Sequence, residues 1–247
     1  MTPTCMLALA ATVTACHLAS PAPPPDPEET SEDDPEDPAD ALPPVSPPAS
    51  APSSLREALL AEAHRELGAV VESHYTHRSR VSEAAGVFDY DCSGFVGYAL
   101  ARAAPEALQT LVDATVRRPL AKNFEAFFAA PRPPWTPVKR AADLVPGDLI
   151  AWLEPPAKHS RNTGHVMIVD RPPRLGARRG ELAIAVIDSS HSGHGAADAR
   201  NRDHRSGLGA GEIILVTDAA GRPTGYRWSL SRHSIAYDTQ ITLGHLP

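Results

Sequence analysis

Cysteine is scarce in this chain: three in 247 residues, at positions 5, 16 and 92, two of them in the apolar N-terminal stretch. That count excludes a disulfide framework and leaves one free thiol in the body of the protein. Basic residues are missing altogether between His17 and Ser54, where nine acidic residues stand without a Lys or Arg. The chain has 30 acidic and 23 basic residues, so the net charge of -7 belongs to that segment and the remainder holds 21 acids against 23 bases. With no concentrated basic stripe to displace counterions from a phosphate backbone, nucleic-acid binding has no support. Long hydrophobic runs are absent too. The apolar start, MTPTCMLALAATVTAC, is shorter than the roughly 20 residues a membrane-spanning helix needs. No internal repeat is present.

What is there divides into three parts. Residues 1–16 have the apolar core and small-residue ending of a signal peptide. The ending VTAC is similar to the lipobox of bacterial lipoproteins, a resemblance that implies lipidation at Cys16 and a place in the cell envelope, anchored to a membrane by lipid. Residues 17–54 are dense in Pro, Glu and Asp without apolar periodicity, a composition that reads as an extended, self-repelling linker. At about 3.1 Å per residue such a linker reaches on the order of 100 Å. The domain follows at 55–247, and 42% hydrophobic content is enough for a core. Ser54 with Glu57 three residues on predicts a capped helix, with Leu55, Leu59, Ala63, Leu67 and Val70 on its apolar face. SGFVGYALARA, ALQTLVDATV and AKNFEAFFAA suggest further helices. GDLIAWL, HVMIVD, LAIAVID, EIILVTD and GYRWSL read as short strands, the last two as a hairpin. Helices first and strands second predicts an α+β fold, N-terminal helices packed on an antiparallel sheet.

The chemistry centres on DYDCSGFVGYAL. A lone Cys is commonly a small buried hydrophobe, but Cys92 follows turn residues and opens a continuous helical run. Thiols at a helix N-terminus or beside an imidazolium ionise more readily, and the first backbone N–H groups there can receive an oxyanion. His165 opens a strand after the polar loop PPAKHSRNTG, a position from which it can face a cleft. Asp188 ends the next apolar run, so the two side chains could lie side by side on adjacent strands as base and orienter for a Cys92 nucleophile.

DCSGFV, DLVPGDLIAW, GHVMIVD and VIDSS, in that order over roughly residues 75 to 191, resemble the NlpC-type family of cell-wall cysteine peptidases. The resemblance implies a papain-like fold, Cys92 as nucleophile, His165 as base and Asp188 as its orienter, where many family members have His. Asp148 in PGDLIAW reads as structural. It implies a peptidoglycan substrate, cut at the γ-D-glutamyl bond to a diamino acid, with no cofactor. Tyr75 stands farther before the Cys than the family's tyrosine, which helps bind a free amine. Tyr75, Ser93 and His191 are the candidate substrate contacts. An N-acetylmuramoyl-alanine amidase, an acyltransferase on the same fold and a non-catalytic wall-binding lipoprotein are the alternatives. The stretch 104–121 stands out as an insertion that could roof or reshape the cleft.

The segment DSSHSGHGAADARNRDHRSG gathers His191, His194, Asp198, Asp203 and His204. Their spacing matches no well-defined metal site, so no metal is assigned and the segment reads as a polar loop rimming the active site, with His191 the fallback orienter.

Overall fold

The computed structural model describes residues 52–112, 118–154 and 163–247. The expected signal peptide with its lipidation at Cys16, and the expected linker up to residue 51, lie outside the described residues. Among the described residues no helix is long and apolar enough to cross a membrane.

The fold is α+β. Helices α1 (Leu55–Ala69), α2 (Cys92–Ala103), α3 (Pro105–Leu111) and α4 (Ala121–Ala129) occupy the first half, interrupted by a short hairpin of β1 (Arg80–Ser82) and β2 (Val87–Asp89). A large antiparallel sheet follows, built from β3 (Thr136–Val138), β4 (Leu149–Trp152), β5 (His165–Val169), β7 (Glu181–Ser190), β8 (Gly207–Thr217), β9 (Pro223–Arg227), β10 (Ala236–Asp238) and β11 (Ile241–His245) in the order β10-β9-β8-β7-β5-β4-β11-β3; β6 (Arg174–Leu175) pairs with β7. A single helical turn, α5 (Ala199–Arg202), lies between β7 and β8. The expected hairpin is β8 and β9, in register from Ile214 against Arg227.

Period-two alternation divides the sheet's side chains between two cores. Leu149, Ala151, Val166, Ile168 and Ile187 face the helices, packing with Leu59, Phe95, Leu100 and Phe124. Ile150, Trp152, Met167, Val169, Ile184 and Val186 face the other way, where they meet Ile213, Leu215 and Tyr226. The sheet closes that second core by curling on itself. Tyr226 of β9 stacks on Trp152 of β4 at 4.3 Å, although three strands lie between them in the order only as β8, β7 and β5.

Two local expectations shift by a residue. Ser54 Oγ accepts the Glu57 N–H at 3.2 Å as a cap should, but the Glu57 carboxylate turns to Ser53, accepting its N–H at 2.9 Å and its hydroxyl at 2.6 Å. On α1 the fully buried positions are Leu59, Ala63 and Glu66, whereas Leu55, Leu67 and Val70 are only partly covered. Glu66 is admitted to the core because the Tyr90 hydroxyl donates to its carboxylate. Burial outweighs that bond and pushes the Glu66 carboxyl up to about 7. Between the ordinary carboxylate value and 7 the folded state therefore holds a proton that the unfolded chain has released, and stability falls as pH rises through that window. Urea unfolding from pH 4.5 to 8 should show wild-type stability dropping relative to Glu66→Gln by on the order of 1–3 kcal/mol. A constant difference across that range would mean the carboxyl does not titrate there.

Candidate functional site

The site begins with the cap of α2. Asp91, in extended backbone, accepts the Gly94 N–H at 2.7 Å and the Ser93 hydroxyl at 3.0 Å on Oδ1. Cys92 is thereby the first helical residue, 4% exposed. Gly94 is required by close approach: a Cβ there would stand 2.9 Å from Tyr90 Cβ and 3.0 Å from Ser79 Oγ. From the opposite side Ser189 of β7 donates its hydroxyl to the Tyr90 carbonyl at 2.6 Å, which ties the cysteine turn to the sheet.

The sheet delivers the partners. Pairing between β5 and β7 is recorded at Ile168–Ile187 and Val169–Val186, so His165 and Asp188 lie beyond this short ladder and meet through their side chains. His165 Nε2 is 2.6 Å from Asp188 Oδ2. That bond engages Nε2 and leaves Nδ1 free of Asp188, and the Cys92 sulfur is near enough to the ring to favour its charged form. Burial opposes charge on His165, but the Cys92 sulfur and the Asp188 hydrogen bond outweigh it and raise its pKa to about 10. The ring is held by Trp152 and Trp228, with centroids at 5.4 and 5.2 Å. Cys92, His165 and Asp188 thus stand together.

Behind Asp188 lies a network the sequence did not reveal. Arg200 of α5, 2% exposed, donates to Asp188 Oδ1 at 2.9 Å and to Asp198 Oδ1 and Oδ2 at 3.1 and 2.8 Å. It also reaches Ser190 Oγ at 2.7 Å and the Gly207 carbonyl at 2.8 Å. His194, not the expected fallback His191, is the second histidine at Asp188. Its Nε2 is 3.1 Å from Oδ2, within ion-pair distance but out of line for a hydrogen bond. Burial raises the cost of charge on Asp188, yet His194, Arg200 and the bond from His165 hold its carboxyl well below the usual range. The room for this network comes from β8: a Cβ on Gly209 would stand 2.3 Å from Arg200 Nε, and one on Gly211 2.7 Å from Asp198 Oδ2 and from His194 Cβ.

Two cavities flank Cys92 and His165, and Tyr75 and His77 line both. The larger, about 440 Å³, is walled by Asp91, Cys92, Ser93 and Arg118; the smaller, about 290 Å³, by His165, His191 and Trp228. Tyr75 and Ser93 therefore sit in the cleft as expected, Tyr75 despite its distance in sequence. His191 is exposed on the rim with its ring 6.2 Å from that of Tyr75. The stretch 104–121 supplies Arg118, Leu120 and Ala121 to the cleft wall; its residues 113–117 are outside the described residues, as are 155–162 of the loop before His165.

The histidine-rich loop does not gather as a ligand set. Asp198 is taken by Arg200, and Asp203 pairs with Arg202 and Arg205 at 3.0 and 2.8 Å. Glu72, His74 and Asp89 do bring ligand atoms together elsewhere, but Arg80 donates to both carboxylates, at 3.0 and 2.8 Å. Asp148 is structural, as read: it accepts the Val145 N–H at 2.9 Å and contacts His245 Nδ1 at 2.7 Å.

Among known proteins the chain is similar to Uncharacterized protein R653 of Acanthamoeba polyphaga mimivirus, with 31% identity over 168 residues, 61% of this chain and 73% of the viral one. The chain belongs to the family of that protein. No family model matches it, and no solved structure matches it. The viral relative is itself uncharacterized, so kinship with the R653 family brings no activity to this chain, and the functional argument rests on the site.

Proposed function

We propose that the chain is a secreted, lipid-anchored cysteine hydrolase of papain-like, NlpC-type fold that cuts peptide bonds in peptidoglycan stem peptides. The observation that carries the catalytic part of this reading is that Cys92, at the start of α2, lies near enough to His165 to favour its charged form, with Asp188 2.6 Å from the other side of the ring. A thiol merely filling a core would not need a base and a buried carboxylate aligned on it. The substrate class comes from the resemblance of DCSGFV and its companion motifs to the cell-wall peptidases.

In the first step the Cys92 sulfur attacks the scissile carbonyl carbon. The N–H groups at the start of α2 receive the oxyanion, and the C–N bond breaks as His165 gives its proton to the leaving amine. A water molecule then loses a proton to His165 and attacks the thioester, releasing the acid and the thiol. Asp188 keeps the imidazole ring turned and favours its charged form throughout.

Digestion of purified sacculi with the protein and with Cys92→Ala, followed by mass spectrometry of released fragments, tests the reading. Stem-peptide fragments are expected only from the wild type, with a mass that names the bond. Cleavage between muramic acid and alanine would replace the endopeptidase by the amidase, and absence of release from a folded wild-type protein would overturn the peptidoglycan assignment.

A further inference from the structure

Arginines divided along the sequence between 171–179 and 227–232 come together at the end of the sheet opposite the cleft. The turn RPPRLGARRG, residues 171–180, carries Arg171, Arg174, Arg178 and Arg179, all exposed. Arg227 of β9 and Arg232 beyond it join Arg174 and Arg178 around a cavity of about 180 Å³, in which Glu181 is the one carboxylate among the lining residues. Glu181 begins β7, and Asp188 stands seven residues along the same strand, roughly 23 Å away at a rise of about 3.3 Å per residue.

The acids at this end are already engaged. Glu181, 8% exposed, accepts Arg227 Nε at 2.9 Å, Glu212 holds Arg174, and Asp170 meets Arg171 at 3.2 Å and His64 at 2.9 Å. Arg178 stands 3.9 Å from Glu181 and donates to the Arg232 carbonyl at 3.3 Å, while Arg232 Nε donates to His233 Nε2 at 3.2 Å. Six arginines against these three carboxylates leave an excess of positive charge, centred on Arg178, Arg179 and Arg232. Two leucines line the same cavity, Leu175 at 88% and Leu230 at 42% exposure. Guanidinium forks match the oxygens of a phosphate. The leucines set beside them add apolar area, which a dissolved ion cannot use and a lipid can.

We propose that this end of the sheet docks on an anionic lipid surface, where Arg178, Arg179 and Arg232 take headgroup phosphates and Leu175 enters the boundary between headgroups and acyl chains. Binding of this kind sums buried apolar area and attraction to anionic lipid. The proposal uses no residue of the cleft and stands apart from the hydrolase reading. Its consequence for the cleft is orientation: with Glu181 held at the lipid, β7 carries Asp188 away from it, and the cavities beside Cys92 and His165 open on the side far from the membrane.

Vesicle sedimentation tests it. The full-length chain, made without export so that Cys16 carries no lipid, is mixed with vesicles of phosphatidylcholine alone or with phosphatidylglycerol added. The apolar residues 1–16 contribute equally in every variant, so the decisive quantity is the preference for the anionic vesicles. The wild type should prefer them, and Arg178→Gln, Arg179→Gln and Arg232→Gln together should lower that preference roughly a hundredfold, about fivefold for each charge. Raising salt from about 0.1 M to 1 M should act in the same direction, because the screening length falls from about 10 Å to 3 Å. Leu175→Ser should weaken binding to the anionic vesicles roughly tenfold. All four side chains are exposed, so the melting temperature should not move. Equal wild-type binding to both vesicles, or a preference unchanged in the triple variant, would overturn lipid docking. Broadening of the phosphorus NMR signal of inorganic phosphate by a wild type that binds no vesicles would overturn it too, and would assign the cavity to a small anion.

Discussion

Asp188→Asn should lower turnover about a hundredfold to ten-thousandfold while leaving Cys92 and His165 in place. The carboxylate does two things that the amide does not. It accepts the His165 Nε2 proton at 2.6 Å, fixing which ring nitrogen is free for the thiol, and it helps raise His165 to about 10. An Asn amide can turn its NH2 toward the ring and select the wrong tautomer. The sign of the pH effect follows. Because the His165 pKa is raised above its unfolded value, the stabilisation of its charged form is complete below the ordinary histidine value and is lost as pH rises through about 10. The alkaline limb of kcat/KM should therefore lie near 10 in the wild type and move toward neutrality in Asp188→Asn. A limb that stayed in place while activity fell would mean that Asp188 acts by shape alone.

Arg200→Met has the largest expected effect on stability. Arg200 is the cation between Asp188 and Asp198, and its removal leaves two buried carboxylates without it, Asp188 beside His165 and His194 and Asp198 on the backbone N–H groups of residues 194 and 200. Breaking a buried pair on one side costs about 3–5 kcal/mol, because the surviving charge has lost its partner and has no water. For a domain of this size that should appear as a melting temperature lower by roughly ten degrees. Adding Asp198→Asn to Arg200→Met should return part of the loss, since one uncompensated charge is removed with it. A drop in melting temperature of under about two degrees for Arg200→Met would mean that solvent reaches the pair.

The grouping of Cys92, His165 and Asp188 was legible because their types and positions carry the argument: a thiol at a helix start, an imidazole at a strand start, a carboxylate at the end of the next strand. Arg200 was not, nor was the inward turn of His194 and Asp198, which were noted only as members of a polar loop: such a loop has no periodicity, and a buried arginine has the same letters as an exposed one. The signal that was there lies in another element. SGLGAGE places Gly207, Gly209 and Gly211 on one face of a strand, and alternate glycines in a strand mark a place where something approaches closely. The same blindness covers Glu66, which is absent from the expected apolar face of α1 and is buried where Tyr90 donates to it. Strands β3 and β11 were missed because each is short, one contains Pro137, and neither stands out from its flanks as an apolar run.

The position of β11 sets the order in which this protein can be finished. Residues 241–245 are inserted between β4 and β3, pairing Ile241 with Trp152 on one side and Leu243 with Val138 on the other. The Pro247 carbonyl then accepts the Leu55 N–H at 2.9 Å, close to the start of α1. Contacts so distant along the chain carry a loop-closure cost before they return any stability, and they slow folding. As the polypeptide leaves the ribosome, Cys92, His165 and Asp188 are all made well before the strand that closes the sheet beside them. Until residue 245 has emerged, β3 and β4 have no strand to bridge them, and the nascent chain carries Cys92, His165 and Asp188 without the strand that joins the sheet beside them.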